Sequence, residues 1–410
     1  MLFTARSASS LNIDVISLKD GKRKTVQKGG SFGRFLASRD GKGYLTYLNN
    51  GTLFAARFEP DTGKLDGVPV PILERVTYDT SFGGARFSLS QTGTTVYQSG
   101  NAAANGRLML QWLDNVGTVH PLLAKPGAYT RPRLSPDGQR LALDLTSGGG
   151  RDIRDIWVYE WQRNIMTRLT FDGKSGPRNS LWTSDGRYVI FSQPEGLFWI
   201  RSDGAGKPQE LTRSDKLQFP YSVTPDGRWL IWEELATGTR KIMSMQIESD
   251  GNGLKGSKPE ALLQGPFDET QPRISPDGRW LAYASNESGA YQVYVRTFPD
   301  KGGKWQISTS GGDHPVWSPN GRELFLRSSD GRIMVTAFRT SGDSFIADQP
   351  RVWSEQKIAD NTMAFDIAPD GKRIIAMTPE ATAETRWAEN HVTLLENFVD
   401  ELRRKVPTGK

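Results

Sequence analysis

The sequence has no cysteine and only three histidines among its 410 residues. Without cysteine, a disulfide framework and thiolate metal sites are excluded, while the cellular compartment stays open. The histidines, His120, His314 and His391, have neither the His-x-x-His nor the His-Glu-x-x-His spacing that is typical of zinc sites. We therefore predict a protein without a metal ion and without a cofactor.

Long hydrophobic runs are also missing. No segment approaches the roughly 20 consecutive apolar residues that a membrane-spanning helix needs. Residues 1–6 lack the charged stretch and apolar core that mark a signal peptide. We expect no membrane span in this chain, and the targeting element of an exported parent protein would lie outside these residues.

The surplus of positive charge is small. The chain has 52 Lys and Arg against 46 Asp and Glu, which gives a net charge of +6. No block of five or more basic residues occurs, and no basic stripe alternates with aromatic residues at a regular spacing. A solvated surface of mixed charge explains this pattern best, and we predict no nucleic-acid partner.

Turn residues and large apolar side chains are abundant. The 43 Gly and 23 Pro occur in short regular clusters, and the chain also contains 18 Phe and 12 Trp. The clusters indicate turns, and the aromatic residues supply enough apolar surface for an extended core. Regular turns are typical of repeat architectures, in which each unit buries its apolar face on the next.

One turn recurs along the chain. Its clearest copies are Ser135-Pro136-Asp137-Gly138, Thr224-Pro225-Asp226-Gly227, Ser275-Pro276-Asp277-Gly278, Ser318-Pro319-Asn320-Gly321 and Ala368-Pro369-Asp370-Gly371. Weaker copies are Ser38-Arg39-Asp40-Gly41, Ser90-Gln91-Thr92-Gly93 and Thr183-Ser184-Asp185-Gly186. Proline presets φ, Asp or Asn suits the next position, and Gly accepts the left-handed conformation that leads into a new strand. The turn glycines are separated by 41 to 52 residues, which is the period of a four-stranded propeller blade.

The residues around each turn predict strands. An apolar residue stands directly before every turn, and these residues are Ala37, Leu89, Leu134, Trp182, Val223, Ile274, Trp317 and Ile367. Continuous apolar runs follow the turns, as in residues 229–232, and suit strands covered on both faces. Little helical periodicity separates them, which excludes a parallel βαβ arrangement. The sequence therefore predicts an all-β protein, a β-propeller of four-stranded blades. We expect eight blades, or seven if the weak repeat at Gly93 is diverted into an insertion.

The two ends of the chain predict how the ring closes. Residues 2–4, 12–18 and 24–26 have the pattern of strands two, three and four of a repeat, whose first strand would lie before Met1. The last repeat supplies strands one and two, a candidate third strand at residues 391–395 and no evident fourth. We expect N-terminal strands to pair with this repeat, so that residues 1–396 form one closed propeller without free sheet edges.

A short helix is predicted at the C-terminus. Phe398, Val399, Leu402 and Val406 recur at helical spacing, with Asn397 as the N-cap and Pro407 after the last turn. We assign residues 397–410 to an amphipathic helix and tail that pack on the closing blade. A docking helix for another domain is the alternative.

The repeats resemble the TolB-type, WD-like propeller family over nearly the whole chain. Four segments are also similar to the C-terminal propeller of bacterial membrane-bound serine/threonine protein kinases: residues 275–283 (SPDGRWLAY), 292–299 (QVYVRTFP), 303–308 (GKWQIS) and 404–409 (RKVPTG). This second resemblance implies an extracytoplasmic sensing or interaction module, on the periplasmic side, within a larger signalling protein. The chain has neither the kinase domain nor the membrane span of that family, so the resemblance implies no kinase activity for any residue.

Motifs for catalysis are weak. Gly29-Gly30-Ser31-Phe32-Gly33 matches the nucleophile-elbow pattern, yet it lies between predicted propeller strands and outside any strand-turn-helix context. Asp250-Gly251-Asn252-Gly253 lacks the spaced carboxylates and the terminal Glu of a calcium loop and is better explained as a turn. We predict no catalytic residue.

Aligning the repeats on their turns places polar residues in one register. Four residues before the turn lie Arg34, Arg86, Arg131, Gln271 and His314, and two residues later lie Arg133, Arg273 and Asp366. If the first strands line a central channel, these side chains gather at one mouth. About three to five cations there would favour an anionic ligand or an acidic peptide segment. The alternative is that the arginines bond neighbouring carboxylates or backbone carbonyls and hold adjacent blades in register.

The sequence leaves three functions open. A non-catalytic propeller that binds a protein, a peptide or a small anionic ligand is favoured, because repeats account for nearly the whole chain. A hydrolase or lyase with its site at the channel mouth, around His314 and Asp366, is the second hypothesis. The third is the gating propeller of a prolyl-oligopeptidase type enzyme.

Overall fold

The fold is known from a computed structural model, which describes residues 1–6, 11–37, 43–77, 85–90, 93–99, 108–146, 154–171, 178–236, 238–250, 253–299, 302–358, 365–379 and 392–406. Two compact units are present. Unit 1 contains Met1–Arg107 and Pro379–Lys410, and unit 2 is Leu108–Thr378. None of the described helices is long and apolar enough to cross a membrane.

Unit 1 contains three sheets and one helix among its described residues. They have the strand orders β1-β2-β3, β4-β5-β6-β7 and β36-β9-β8. The elements are β1 (Leu2–Arg6), β2 (Leu11–Ile16), β3 (Arg23–Lys28), β4 (Ser31–Ala37), β5 (Gly43–Asn49), β6 (Thr52–Glu59), β7 (Lys64–Leu73), β8 (Phe87–Leu89), β9 (Thr95–Tyr97), β36 (Thr393–Leu395) and the helix α1 (Phe398–Lys405).

Unit 2 contains six antiparallel sheets in its described part. Five of them are made of strands that follow one another in the chain. The first consists of β12 (Tyr129–Leu134), β13 (Arg140–Thr146), β14 (Arg154–Glu160) and β15 (Ile165–Arg168); the second of β16 (Arg178–Trp182), β17 (Tyr188–Gln193), β18 (Gly196–Arg201) and β19 (Gln209–Glu210); the third of β20 (Leu217–Val223), β21 (Trp229–Ala236), β22 (Thr239–Ser249), β23 (Leu254–Gly256) and β24 (Glu260–Leu263); the fourth of β25 (Glu269–Ile274), β26 (Trp280–Ser285), β27 (Gln292–Thr297) and β28 (Lys304–Gln306); and the fifth of β29 (Asp313–Trp317), β30 (Glu323–Arg327), β31 (Arg332–Ser341), β32 (Ser344–Ala347) and β33 (Arg351–Lys357). The sixth, in the order β11-β10-β35-β34, consists of β10 (Leu108–Asp114), β11 (Val119–Pro121), β34 (Phe365–Ile367) and β35 (Arg373–Pro379). The predicted all-β fold of four-stranded sheets is confirmed.

The recurring turns connect the first and second strands. In the turn after β12, Gly138 N–H donates to Ser135 O (2.8 Å) and Arg140 N–H donates to Ser135 Oγ (2.9 Å). The glycines after β16, β20, β25, β29 and β34 make the same main-chain bond, and all have positive φ: Gly186, Gly227, Gly278, Gly321 and Gly371. The turn at residues 38–41 and the centre of the turn at residues 90–93 lie outside the described residues.

The second strands carry the core, as their apolar runs predict. All residues of β26 are buried, and those of β21 are buried from Leu230 to Glu234. Clusters such as Leu181, Tyr188, Trp232 and Met245 join neighbouring sheets face to face. Because each sheet covers the next, both faces of the second strand are buried away from solvent.

The first strands of unit 2 contact one another in a ring. β12 contacts β16, β16 contacts β20, β20 contacts β25, β25 contacts β29, β29 contacts β34, and β34 contacts β12. Their order brings the inner ends of six sheets around one axis of this unit.

The expected count of eight blades is not confirmed, because unit 2 closes its ring on six sheets. The second and the last repeat share strands: β10, which follows the second repeat and pairs with β11, also pairs with β35 of the last repeat, while β9 pairs with β36. The spacing of turns counts hairpins. It carries no information on which distant strands complete a sheet, so this exchange was not predictable.

Gly138 makes a close approach that only glycine permits. A Cβ atom there would overlap the ring of Pro369, in the turn between β34 and β35. Gly321 has nearly the same φ, +65° against +66°, but nothing within 4 Å of its Cβ position. We expect Gly138→Ala to lower the free energy of unfolding by about 1–3 kcal/mol more than Gly321→Ala. Urea unfolding of both variants checks this, and equal losses would contradict it.

The C-terminal helix begins without the side-chain cap that the sequence predicts. Asn397 has a left-handed backbone with φ 56° and makes no side-chain cap bond. The first helical N–H, that of Phe398, donates instead to Gly93 O (2.9 Å). Phe398, Leu402 and Val406 are buried among residues of β4 to β8. Tertiary contact therefore satisfies the helix start, which a capping rule read from local sequence misses.

Candidate functional site

Six of the eight predicted site residues lie on first strands of unit 2. Arg131 and Arg133 belong to β12, Gln271 and Arg273 to β25, His314 to β29 and Asp366 to β34. These strands are members of the ring described above. The structure therefore brings these six residues to the inner edge of one unit, as the register of the repeats predicts.

The polar position four residues before the turn has a left-handed backbone. Arg131, Asn179, Gln271 and His314 have φ between 51° and 65°. Each lies in a β-bulge, where the pairing with the second strand skips two residues. Such a backbone costs about 1–3 kcal/mol at a residue other than glycine, and a bulge re-aims the side chain. The repeat register predicts this polar position but not its left-handed conformation.

The left-handed residues join neighbouring sheets. The Asn179 N–H donates to Oδ2 of Asp144 on β13 (3.0 Å), and the Gln271 N–H donates to Oε2 of Glu233 on β21 (3.4 Å). The His314 N–H donates to Gln271 Oε1 (2.7 Å). The bulge frees each N–H from its own sheet, so it can bond the preceding one.

Arg133 and Arg273 play matching structural roles. Arg133 NH1 donates to Phe365 O (3.3 Å) and Arg273 NH1 donates to Tyr221 O (2.9 Å), in each case on the preceding first strand. Their own carbonyls accept from the indoles of the next sheet, Trp182 (2.9 Å) and Trp317 (2.9 Å). These bonds agree with the alternative interpretation, in which the arginines hold adjacent sheets in register.

The same arginines bring positive charge into the ring interior, where carboxylates are also present. Burial, and then the nearby Arg273 cation, lower the pKa of Arg133 to about 9. Burial also raises the pKa of Tyr221, whose hydroxyl senses Arg131, Arg133 and Arg273 together. Arg131 has 21% of its side chain exposed, and its NH1 lies 3.4 Å from Asp144 Oδ2. The three guanidinium groups share this region with the carboxylates of Asp366 and Glu233.

His314 is placed for packing rather than for proton transfer. Its Nδ1 lies 2.9 Å from Asp313 Oδ1, and Asp313 also accepts from Arg327 NH2 (2.7 Å). Its Nε2 lies 3.3 Å from Gln271 Nε2. Burial lowers the pKa of His314, so the neutral ring fits a proton on Nδ1 and an Nε2 that accepts from Gln271. That bond occupies the nitrogen that a general base would need.

The Asp366 carboxylate is engaged in the same kind of sheet-to-sheet bond. Its Oδ2 accepts the Leu134 N–H of β12 (2.9 Å). Ser222 Oγ accepts the Ile274 N–H in the corresponding place between β20 and β25 (3.1 Å). Asp366 therefore has a defined structural role. Among the described residues, no three His, Asp or Glu side chains are grouped as metal ligands.

Arg34 and Arg86 belong to unit 1, and both side chains are exposed. The Arg34 guanidinium lies 4.1 Å from the Phe32 ring centroid, and Arg86 NH1 donates to Gln98 Oε1 (2.8 Å). The alignment on turns misplaces Arg34. Phe32 is the left-handed residue of β4, and Arg34 is the first residue paired after the bulge, as Arg133 and Arg273 are.

Comparisons with known proteins support the TolB-type resemblance. No protein-family model matches the chain. The Tol-Pal system protein TolB of Francisella tularensis is 27% identical over 233 residues, which are 55% of this chain and 51% of that protein. The uncharacterized peptidase YuxL of Bacillus subtilis is 25% identical over 215 residues, which are 41% of this chain and 32% of that protein. The chain thus spans about half of its TolB relative and a third of YuxL.

A solved structure of a candidate TolB from Agrobacterium tumefaciens matches with a TM-score of 0.50 and 16% identity. The match covers 67% of this chain and 99% of that protein. At this identity the similarity establishes the fold, a TolB-type β-propeller. The resemblance to the propellers of membrane-bound kinases remains a prediction.

Proposed function

We propose that the protein is a non-catalytic propeller that binds a protein partner, and that it holds an acidic segment of this partner at the inner strand ends of unit 2. The observation that carries the proposal is the convergence of Arg131, Arg133 and Arg273 on Tyr221. Arg133 and Arg273 donate to main-chain carbonyls, and both also sense the Asp366 carboxylate. A bound carboxylate would act with Asp366 against the burial and the Arg273 repulsion that lower the pKa of Arg133.

The structural role of these arginines is compatible with binding. A guanidinium has five N–H donors, and one bond to a carbonyl leaves the group its full charge. Arg131 keeps part of its side chain in solvent and approaches Asp144 with one nitrogen. Arg131 would make the first contact with an incoming carboxylate, while Arg133 and Arg273 supply the field behind it.

The proposal favours a protein ligand for two reasons. The ring is formed by several sheets, so a peptide can reach more than one strand end. The TolB-type fold is also shared with a protein of the Tol-Pal system. An extracytoplasmic location, on the periplasmic side, is part of this proposal and draws on the family resemblance.

Titration calorimetry with hexaglutamate and hexaglutamine tests this function. We expect hexaglutamate to bind and hexaglutamine to bind at least about tenfold more weakly, because only the former carries carboxylates. Arg131→Gln should weaken hexaglutamate about tenfold, which corresponds to one charge-assisted contact. Arg213→Gln removes the same charge from an exposed ion pair with Glu210 and should leave the affinity unchanged. Equal effects of the two variants would indicate binding by net charge alone.

A second candidate is a propeller that controls access to a peptidase domain. The similarity to part of the YuxL peptidase favours it. Sequencing the complete reading frame would show a hydrolase domain beside the propeller if this candidate is right.

A further inference from the structure

The junction between β25 and β29 uses a glutamine where other junctions of unit 2 use a carboxylate. At two of them a second-strand side chain, Asp144 or Glu233, accepts the N–H of the left-handed residue in the next sheet. The residue that takes the same place on β26 is Ala284, whose side chain has no acceptor. Gln271 takes over this role, because its Oε1 accepts the main-chain N–H of His314 (2.7 Å).

The Gln271 amide contacts His314 at both of its ends. Besides the bond to Oε1, the Nε2 atoms of the two side chains lie 3.3 Å apart. An amide has one acceptor end and one donor end, so Gln271 Nε2 donates and the unprotonated Nε2 of His314 accepts. This arrangement is complete only while the imidazole is neutral, with its proton on the Nδ1 that lies beside Asp313.

A second proton on the imidazole leaves one acceptor for two donors. Protonated His314 presents an Nε2–H to the amide nitrogen of Gln271, which is also a donor. Rotation of the amide by half a turn brings Oε1 to this new N–H, but the NH2 group then faces the main-chain N–H of His314. Either orientation leaves a donor without its acceptor in a largely buried place, and this favours separation of the two residues.

The surroundings of the imidazole resist its protonation. Burial lowers the pKa of His314, the Asp313 carboxylate raises it, and the cations of Arg327 on β30 and Arg133 on β12 lower it. Other strands in contact with β29 also carry charged residues, and these are Arg273 on β25, Arg296 on β27 and Asp366 on β34. In an open form, exposed to water, the imidazole titrates near about pH 6.5. The open form therefore takes up the proton first, and acid favours it as the pH falls below this value.

We propose that protonation of His314 opens the junction between β25 and β29, which makes this part of the ring of unit 2 a switch that responds to mild acid. The two bonds between Gln271 and His314 are lost, and the inner ends of the two strands separate. The switch works below about pH 6.5, whereas the pKa of Arg133 is about 9. It can therefore be measured apart from the proposed binding of an acidic segment.

Hydrogen exchange of the full chain tests the switch. Between about pH 7 and pH 5 the protection factor of the β29 amides should fall at least about tenfold, which corresponds to one unit between the pKa values of the closed and the open form. Strand β16 is the control within the same molecule, since its left-handed Asn179 is held by Asp144. Burial raises the pKa of Asp144, so a proton there favours the closed form and the protection of β16 should not fall.

Two substitutions separate His314 from other groups that titrate. His314→Asn removes the imidazole at a position whose left-handed backbone suits asparagine, as at Asn179. It should make the protection of β29 independent of pH. His120→Asn removes an exposed histidine on β11 of the same unit and should leave the tenfold fall unchanged.

Gln271→Glu supplies the second acceptor. A carboxylate accepts from the main-chain N–H of His314 and from a protonated Nε2 at the same time. The fall in protection should disappear, and the pKa of His314 should rise above its value in the parent chain. NMR titration of the His314 ring protons measures this second effect in the folded protein.

Four results would overturn the proposal. They are a constant protection of β29 in the parent chain, an equal fall in β16, a fall that persists in His314→Asn, and a fall that persists in Gln271→Glu. An equal fall in both strands would mean that acid unfolds the whole unit rather than one junction.

Discussion

Replacement of Asp144 by alanine is expected to lower the free energy of unfolding by about 3 kcal/mol. The carboxylate is fully buried between two sheets. Its Oδ2 accepts the N–H of the left-handed residue Asn179 (3.0 Å) and lies 3.4 Å from Arg131 NH1. Alanine leaves a buried N–H without its acceptor and removes the counter-charge of Arg131. Chemical unfolding monitored by tryptophan fluorescence measures the loss.

Two further variants define what the loss means. Asp144→Asn keeps an oxygen for the Asn179 N–H and should cost about half as much, because only the charge is removed. Asp348→Ala removes an exposed carboxylate of the same unit and should stay within about 0.5 kcal/mol of the parent protein. A cost below about 1 kcal/mol for Asp144→Ala would mean that this junction between sheets does not contribute to stability.

The repeat turn was the most predictable part of the fold. Its conformation is set within four residues by proline, an acidic or amide side chain and glycine, and so it can be read from local sequence. The apolar position before each turn followed from the same alignment: Trp182 and Trp317 are buried as expected. Their indole bonds to the carbonyls of the preceding sheet were not predictable, because they join segments 44 to 49 residues apart.

The candidate site was predictable in membership and only partly in geometry. Register on the turns selected Arg131, Arg133, Gln271 and Arg273, which the structure places on the ring of unit 2. It could not reveal the bulge, since a left-handed Arg or Gln has no sequence signature as plain as that of glycine. For this reason the alignment matched Arg34 with Arg131, although its structural counterpart is Arg133, two residues later. In β4 the bulge lies farther from the turn than it does in β12.

The exchange of strands between the second and the last repeat could not be predicted from the sequence. Strand β10 has no turn signal that distinguishes pairing with β9 from pairing with β35. Side-chain packing favours the pairing of β10 with β35, since Leu110 and Leu113 join Ile374 and Met377 in one buried cluster. A count of repeats therefore gives the number of hairpins but leaves the ring size open.

The affinity for an acidic peptide is expected to fall steeply at alkaline pH. Burial and the Arg273 cation lower the pKa of Arg133 to about 9 in the free protein, whereas a bound carboxylate favours the charged guanidinium. Below about pH 8 the group is protonated in both states, so affinity is constant. Above pH 9 the free protein must take up a proton on binding, and affinity should fall about tenfold per pH unit.

Few other groups titrate in this window. Glutamate side chains with an ordinary pKa of about 4.3 stay ionised throughout, and exposed lysines lose their protons only near about pH 10.4. A peptide held by scattered surface cations would therefore bind with constant affinity up to about pH 10. Repetition of the series with hexaglutamine gives the background that does not depend on carboxylates.

Calorimetric titration of hexaglutamate between about pH 7 and pH 10 is the most direct test of binding at the inner strand ends of unit 2. Binding beside Arg133 predicts one affinity up to about pH 8 and an affinity about tenfold lower at pH 10, as Arg133 loses its proton. An affinity that stays the same up to pH 10 would contradict it, because the carboxylates would then be bound away from Arg133.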